Sequence, residues 1–199
     1  MLRAWIVLVL CCGCSLAPAE RDDVEQAFVH WDIASCLGLV GVTSPKHLAS
    51  GKPAYSAEEL AALENAERAA CEAYEKVKAL YVAATRGGEG VNLAATGYEL
   101  SRAQARLAWA REKPNDTVSR LEQATKFARK GVQAAKAAYE AGTVTLSEYL
   151  NALQVVSTSE VAEIRVKSAL TALGHDLKKG SHIRQIDPDN PKPDDCVSK

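Results

Sequence analysis

From Ser56 to Lys179 apolar and small side chains return at alternating steps of three and four residues, the spacing of helices that pack lengthwise on one another. The first run is Leu60, Leu63, Ala70, Tyr74, Val77, Tyr81 and Ala84, with Glu67 in its one missing slot. A second follows through Leu93, Thr96, Leu100, Ala103, Leu107 and Ala110, and a third through Val118, Leu121, Thr125, Ala128, Val132, Ala135 and Tyr139. The fourth carries Leu146, Leu150, Leu153, Val161, Ile164, Leu170, Leu173 and Leu177. No strand-like alternation of useful length interrupts them. The expected fold is all-α: an up-down four-helix bundle or an elongated pair of antiparallel hairpins with coiled-coil-like seams.

The punctuation between the runs is chemical. Ser56 and Glu59 form a capping box that starts the first helix, and Arg86-Gly-Gly-Glu-Gly90 stops it. Lys113-Pro-Asn-Asp116 ends the second, with Asp116 or Thr117 expected to cap the third. Gly142 cuts the third, and Thr145 with Glu148 closes a second capping box for the fourth, which is expected to run to Lys178 and Lys179. The breaks divide the chain into an export signal over 1–19, an irregular segment over 20–55, a duplicated helical hairpin over 56–179 and a flexible tail over 180–199. The irregular segment holds one short helix, expected to carry Val24, Phe28, Trp31 and Cys36 on one side.

One positive charge and a short apolar run open the chain, an export signal too short to span a membrane. Two processing routes compete. Ala17-Pro-Ala19 fits ordinary signal cleavage, whereas Gly13-Cys14 resembles the end of a bacterial lipobox and would leave Cys14 lipidated. Both place the protein outside the cytoplasm, in the periplasm or cell envelope, with any membrane attachment through that lipid. Beyond the signal only Cys36, Cys71 and Cys196 are certain to remain, and three disulfide pairings are open, Cys36–Cys71 among them.

Net charge is −1, so nothing in the electrostatics points to nucleic acid. His30, His47, His175 and His182 are scattered, and neither a nucleophile elbow nor a phosphate-cradling loop is present. The expectation is a non-enzymatic protein without metal or cofactor.

The two halves of the hairpin domain echo each other: Tyr81, Gly88, Leu93, Ala95 and Ala103 fall in the order of Tyr139, Gly142, Leu150, Ala152 and Glu160. The second copy, Tyr139-Glu-Ala-Gly-Thr-Val-Thr-Leu-Ser-Glu-Tyr-Leu-Asn-Ala-Leu-Gln154, resembles the hairpin tip of TolC-type outer-membrane efflux proteins, with Glu148 where that family has Asp. The resemblance covers roughly residues 57–178, and the family's barrel strands are missing. It implies an efflux-associated envelope component whose tip, Tyr139, Gly142, Thr143, Val144, Thr145 and Glu148, docks a periplasmic adaptor. Tyr81, Arg86, Gly88 and Gly90 form the corresponding tip of the first repeat. The alternative is a structural or scaffolding envelope protein that binds partners, or itself, along its helix faces.

Overall fold

The computed structural model describes residues 18–39, 55–83, 89–177, 185–188 and 191, and among these every regular element is an α-helix. They are α1 (Pro18–Leu37), α2 (Ala57–Ala83), α3 (Glu89–Ala110), α4 (Pro114–Glu140) and α5 (Leu146–Ala172). The protein is an all-α up-down bundle. Consecutive helices α2 to α5 pack side by side, with α3 against α4 the most extensive contact. The outer two do not meet, since no Cα of α2 comes within 8 Å of α5. The open side beside α5 is taken by α1, which packs on α5 and touches α3.

Two clusters of buried side chains hold the layers together. The first gathers Ile33 and Leu37 of α1, Leu63 of α2, Trp109 of α3, Leu121 of α4 and Leu170 of α5. The second lies nearer the hairpin turns and is built on Tyr74, Leu93, Leu100 and Phe127. Tyr74 meets Phe127 edge to face at 6.0 Å. Trp109 lies 5.5 Å from the His30 ring in the first cluster, so the two aromatics that flank the α3–α4 connection serve different cores.

Four helix C-termini, those of α1, α3, α4 and α5, close in the same way. At Gly38, Glu112, Gly142 and Gly174 the chain turns left-handed with φ between 56° and 81°. At each, a pair of hydrogen bonds runs back to carbonyls three and five residues earlier, the Schellman arrangement. Three of the four are glycines, which take this backbone without a Cβ penalty. Helix starts are more varied. Ser56 and Glu59 exchange the expected pair of bonds, 2.7 and 3.1 Å. α4, however, begins at Pro114 with Lys113 as its cap residue and no side-chain cap, one turn earlier than Asp116 or Thr117 would place it. Proline at the first helical position needs no N–H there and comes with its φ already set.

Three further departures from the sequence reading have physical causes. α1 is a full 20-residue helix whose inward side is Ile33, Ala34 and Leu37, while Phe28 and Trp31 point to solvent. Arg106 Nε donates to Leu37 O at 2.7 Å and Arg102 to Cys36 O at 3.3 Å, tying the end of α1 to α3. α5 stops at Ala172, because the Gly174 turn ends it before Lys178 and Lys179, which lie outside the described residues. The tail is not free over its described part: Ile186 is buried in the second cluster, and the fully buried Gln123 donates to its carbonyl at 3.2 Å.

Candidate functional site

The α4–α5 turn is built as its sequence predicts. Gly142 adopts φ +72°, its N–H donates to Tyr139 O at 2.9 Å, and that of Thr143 donates to Ala138 O at 2.9 Å. Nothing lies within 4 Å of where a Gly142 Cβ would stand, so the glycine is required by backbone conformation and not by space. Thr145, in extended backbone, caps α5 with its hydroxyl, and Glu148 closes the box. The Glu148 carboxylate accepts from Thr145 N at 2.6 Å and from Thr145 Oγ1 at 2.8 Å. Although fully exposed, its carboxyl is held below the usual range, first by the Thr145 backbone bond and then by the hydroxyl.

Two residues of the expected docking tip divide. The Thr143 hydroxyl is spent on the turn, donating to Ala138 O at 2.9 Å, while Val144 is half-buried. Below the apex Tyr139 stacks on Tyr149 with ring centres 5.9 Å apart and planes 13° from parallel, a clamp between the two arms. Tyr149 was not singled out by sequence reasoning, although its place three residues into α5 puts it across from Tyr139.

The first-repeat tip is described only in part: Arg86 and Gly88 lie outside the described residues, as does Cys14. Gly90 does not belong to the break. α3 begins at Glu89, and the Gly90 Cβ position would lie 3.7 Å from Ala134 and 4.0 Å from Tyr81. Gly90 and Tyr81 line a cavity of about 210 Å³ with Leu93, Phe127 and Pro188, under the described tail. Because Ala134 lies less than two turns before Tyr139, the start of α3 and the end of α4 sit at the same end of the bundle.

No bridge joins Cys36 to Cys71. Both are thiols, Cys36 packed beside the first cluster and Cys71 beside the second. Burial raises the Cys36 thiol above its ordinary pKa, with Asp32 adding to the rise and Arg165 opposing it. Among the described residues no group of three His, Cys, Asp or Glu side chains is placed to hold a metal ion, and no helix is long and apolar enough to cross a membrane.

The largest correction concerns α5. Its expected seam splits: Leu170 is buried with Leu173 and Leu177 packed beside it, but Leu146, Leu150, Leu153, Val161 and Ile164 are 39–63 % exposed. The side turned to α4 is Ser159, Ala162 and Val166 instead, with the Ser159 and Thr125 hydroxyls 3.0 Å apart. Small residues let the two backbones approach closely, so the larger aliphatic side chains take the outer face.

No protein-family model matches the chain, and no curated protein or solved structure matches it.

Proposed function

We propose that this is a non-enzymatic, exported helical protein of the cell envelope that docks another protein at the α4–α5 hairpin tip. The observation that carries the reading is the construction of that tip: a Schellman turn at Gly142, a capping box at Thr145 and Glu148, and the Tyr139–Tyr149 clamp hold an exposed apex in one shape. A preorganised apex loses little conformational freedom when a partner binds. The resemblance to TolC-type tips supplies the partner class, a periplasmic adaptor with its own helical hairpin. The resemblance is confined to the helical hairpins, so the role proposed is accessory to transport and not transport itself.

A photo-crosslinking residue placed at Val144 in cells tests this, with the same residue at the exposed, distant Glu72 as control. The expected result is one envelope protein captured from position 144 and not from 72. Position 144 yielding no more product than position 72 would overturn the reading. A second reading, scaffolding through helix faces, is favoured by the exposed aliphatic row on α5.

A further inference from the structure

The outward row of α5 has two kinds of order that folding does not require. Leu150, Leu153 and Ser157 recur eleven residues later as Val161, Ile164 and Ser168, all of them exposed. An eleven-residue repeat averages 3.67 residues per turn, close enough to the α-helix to keep the stripe straight along one side. The row is also palindromic about Ser157. Leu153 and Val161 lie four residues to either side of it and Leu150 and Ile164 seven, and beyond them, eleven away, Leu146 is matched by Ser168. A two-fold interface makes residue i meet residue j while j meets i, so this placement sets aliphatic side chains against aliphatic ones.

From this we infer that the outer face of α5 binds a second copy of the chain, antiparallel, on a two-fold axis through Ser157. Leu150 then lies level with the partner's Ile164, and Leu153 with the partner's Val161. At the centre the small Ser157 side chains let the helices approach.

Charge is compatible with this arrangement. Between Tyr149 and Ser159 the helix carries no Asp, Glu, Lys or Arg. The ionised side chains flanking the row are already paired within the protomer, Glu160 with Arg129 at 2.8 Å and Arg165 with Asp32. In the antiparallel pair Glu160 is level with the partner's Gln154, and Arg165 with the partner's Tyr149. A parallel pair would set each charge level with its own copy.

The area is also sufficient. Phe28 of α1 is exposed and shares a groove with Ile164 and Ser168. It therefore stands level with the partner's Leu146 and Leu150 and extends the patch at both ends. With the five aliphatic side chains it presents on the order of 600 Å² of apolar surface, where a stable interface buries about 800 Å² per partner, roughly 60 % of it apolar. A dimer of this form points its two hairpin tips in opposite directions, so it bridges two tip-bound partners and does not close a ring.

Sedimentation equilibrium on the purified full chain, with charge-swapped variants, tests the pairing. Leu153→Glu sets a carboxylate against the partner's Val161 and should yield monomer with unchanged helical circular dichroism. Adding Val161→Lys in the same chain should restore the dimer, since each new carboxylate then meets a new ammonium on the partner, twice. With the native cysteines replaced by Ser, Ser157→Cys in oxidising buffer should give a disulfide-linked dimer that the cysteine-free background does not form, and Leu150→Cys in that background should not. A monomer at about 100 µM, or self-linking through Leu150→Cys, would overturn the proposal. So would a double variant that stays monomeric while the unsubstituted chain dimerises.

Discussion

Gly97 on α3 looks replaceable by its neighbours in sequence, and the structure says otherwise. A Cβ built on Gly97 would stand 2.3 Å from Phe127 Cε1, 2.5 Å from Cδ1 and 2.6 Å from Cζ. Carbon atoms pack comfortably at about 3.5–4.0 Å, so more than 1 Å of relief is needed. The ring cannot give it easily, being fully buried, packed edge to face on Tyr74 and sharing its cluster with Leu100 and Ile186. Gly97→Ala gains about 1 kcal/mol of helix propensity. Overpacking of this kind costs about 1–3 kcal/mol, and a contact this short belongs at the upper end. The expected net loss is about 1–2 kcal/mol, a fall in Tm of roughly 2–8 °C for a chain of this size. Gly131 on α4 supplies the control, because its Cβ would meet only Ala94 Cβ at 3.5 Å, an ordinary contact. Gly131→Ala should therefore stabilise by about 0.5–1 kcal/mol. Thermal melts followed at 222 nm read both. If Gly97→Ala melts at or above the unsubstituted protein, or if the two variants shift the same way, the close approach of α3 and α4 is not as described.

The other expectations are briefer. Glu112 is the one non-glycine in the left-handed position of a Schellman turn, φ +56°, so Glu112→Gly should raise stability by about 1 kcal/mol in the same melts. The Glu148 carboxyl has a lowered folded pKa, so its contribution is present above the unfolded carboxylate range near about 4.3 and is lost as pH falls through the folded value. Glu148→Gln, which keeps a capping-box side chain, should therefore flatten the acid limb of a stability–pH curve relative to the unsubstituted protein. Ile186→Ala should cost about 2 kcal/mol in denaturant titration, because Ile186 is buried against the Tyr74 and Phe127 cluster; a tail that merely hung free would show no change. Ser159→Leu, which would seem to extend the aliphatic character of α5, should instead destabilise by about 1–3 kcal/mol by forcing α4 and α5 apart, and an unchanged melt would place Ser159 on the outside.

What was legible in the sequence follows a physical division. Local interactions were readable, because they span three to five residues and depend on side-chain type: the boxes at Ser56–Glu59 and Thr145–Glu148, and the positive φ of Gly142. The seams of α2 and α4 were also readable through Leu63, Tyr74, Leu121, Thr125 and Ala135, all buried. Glu67, in the missing slot of the first seam, accepts a bond from Gln104 at 3.0 Å, so even the gap has a use. The Lys113–Pro114 start was missed because a proline at N1 competes with the more familiar Asp cap two residues later. Ile186 was missed because a stretch this short, with only Ile183 beside it ahead of prolines and acids, carries no sustained periodic signal. It is buried among Tyr74 and Phe127, and its carbonyl accepts from Gln123, more than sixty residues away.

α5 shows where periodicity stops informing. Spacing identifies a face, but which face is turned inward is decided by what stands opposite, and α4 presents the small polar Thr125 where α5 presents Ser159. In an Ala-rich bundle helices come close through their smallest side chains, so an inner face can carry less apolar bulk than an outer one. The sequence reading took bulk as the mark of burial, and on α2 and α4 that was sound. On α5 the same rule picked out side chains that face outward. The candidate tip obeys the converse logic. Its glycine, threonine and glutamate serve the turn itself, and the turn makes the placement of Val144 and the clamped tyrosines definite. A mutational study of function in this chain therefore gains most from substitutions on the outer row and at Val144, and least from the residues that look most motif-like.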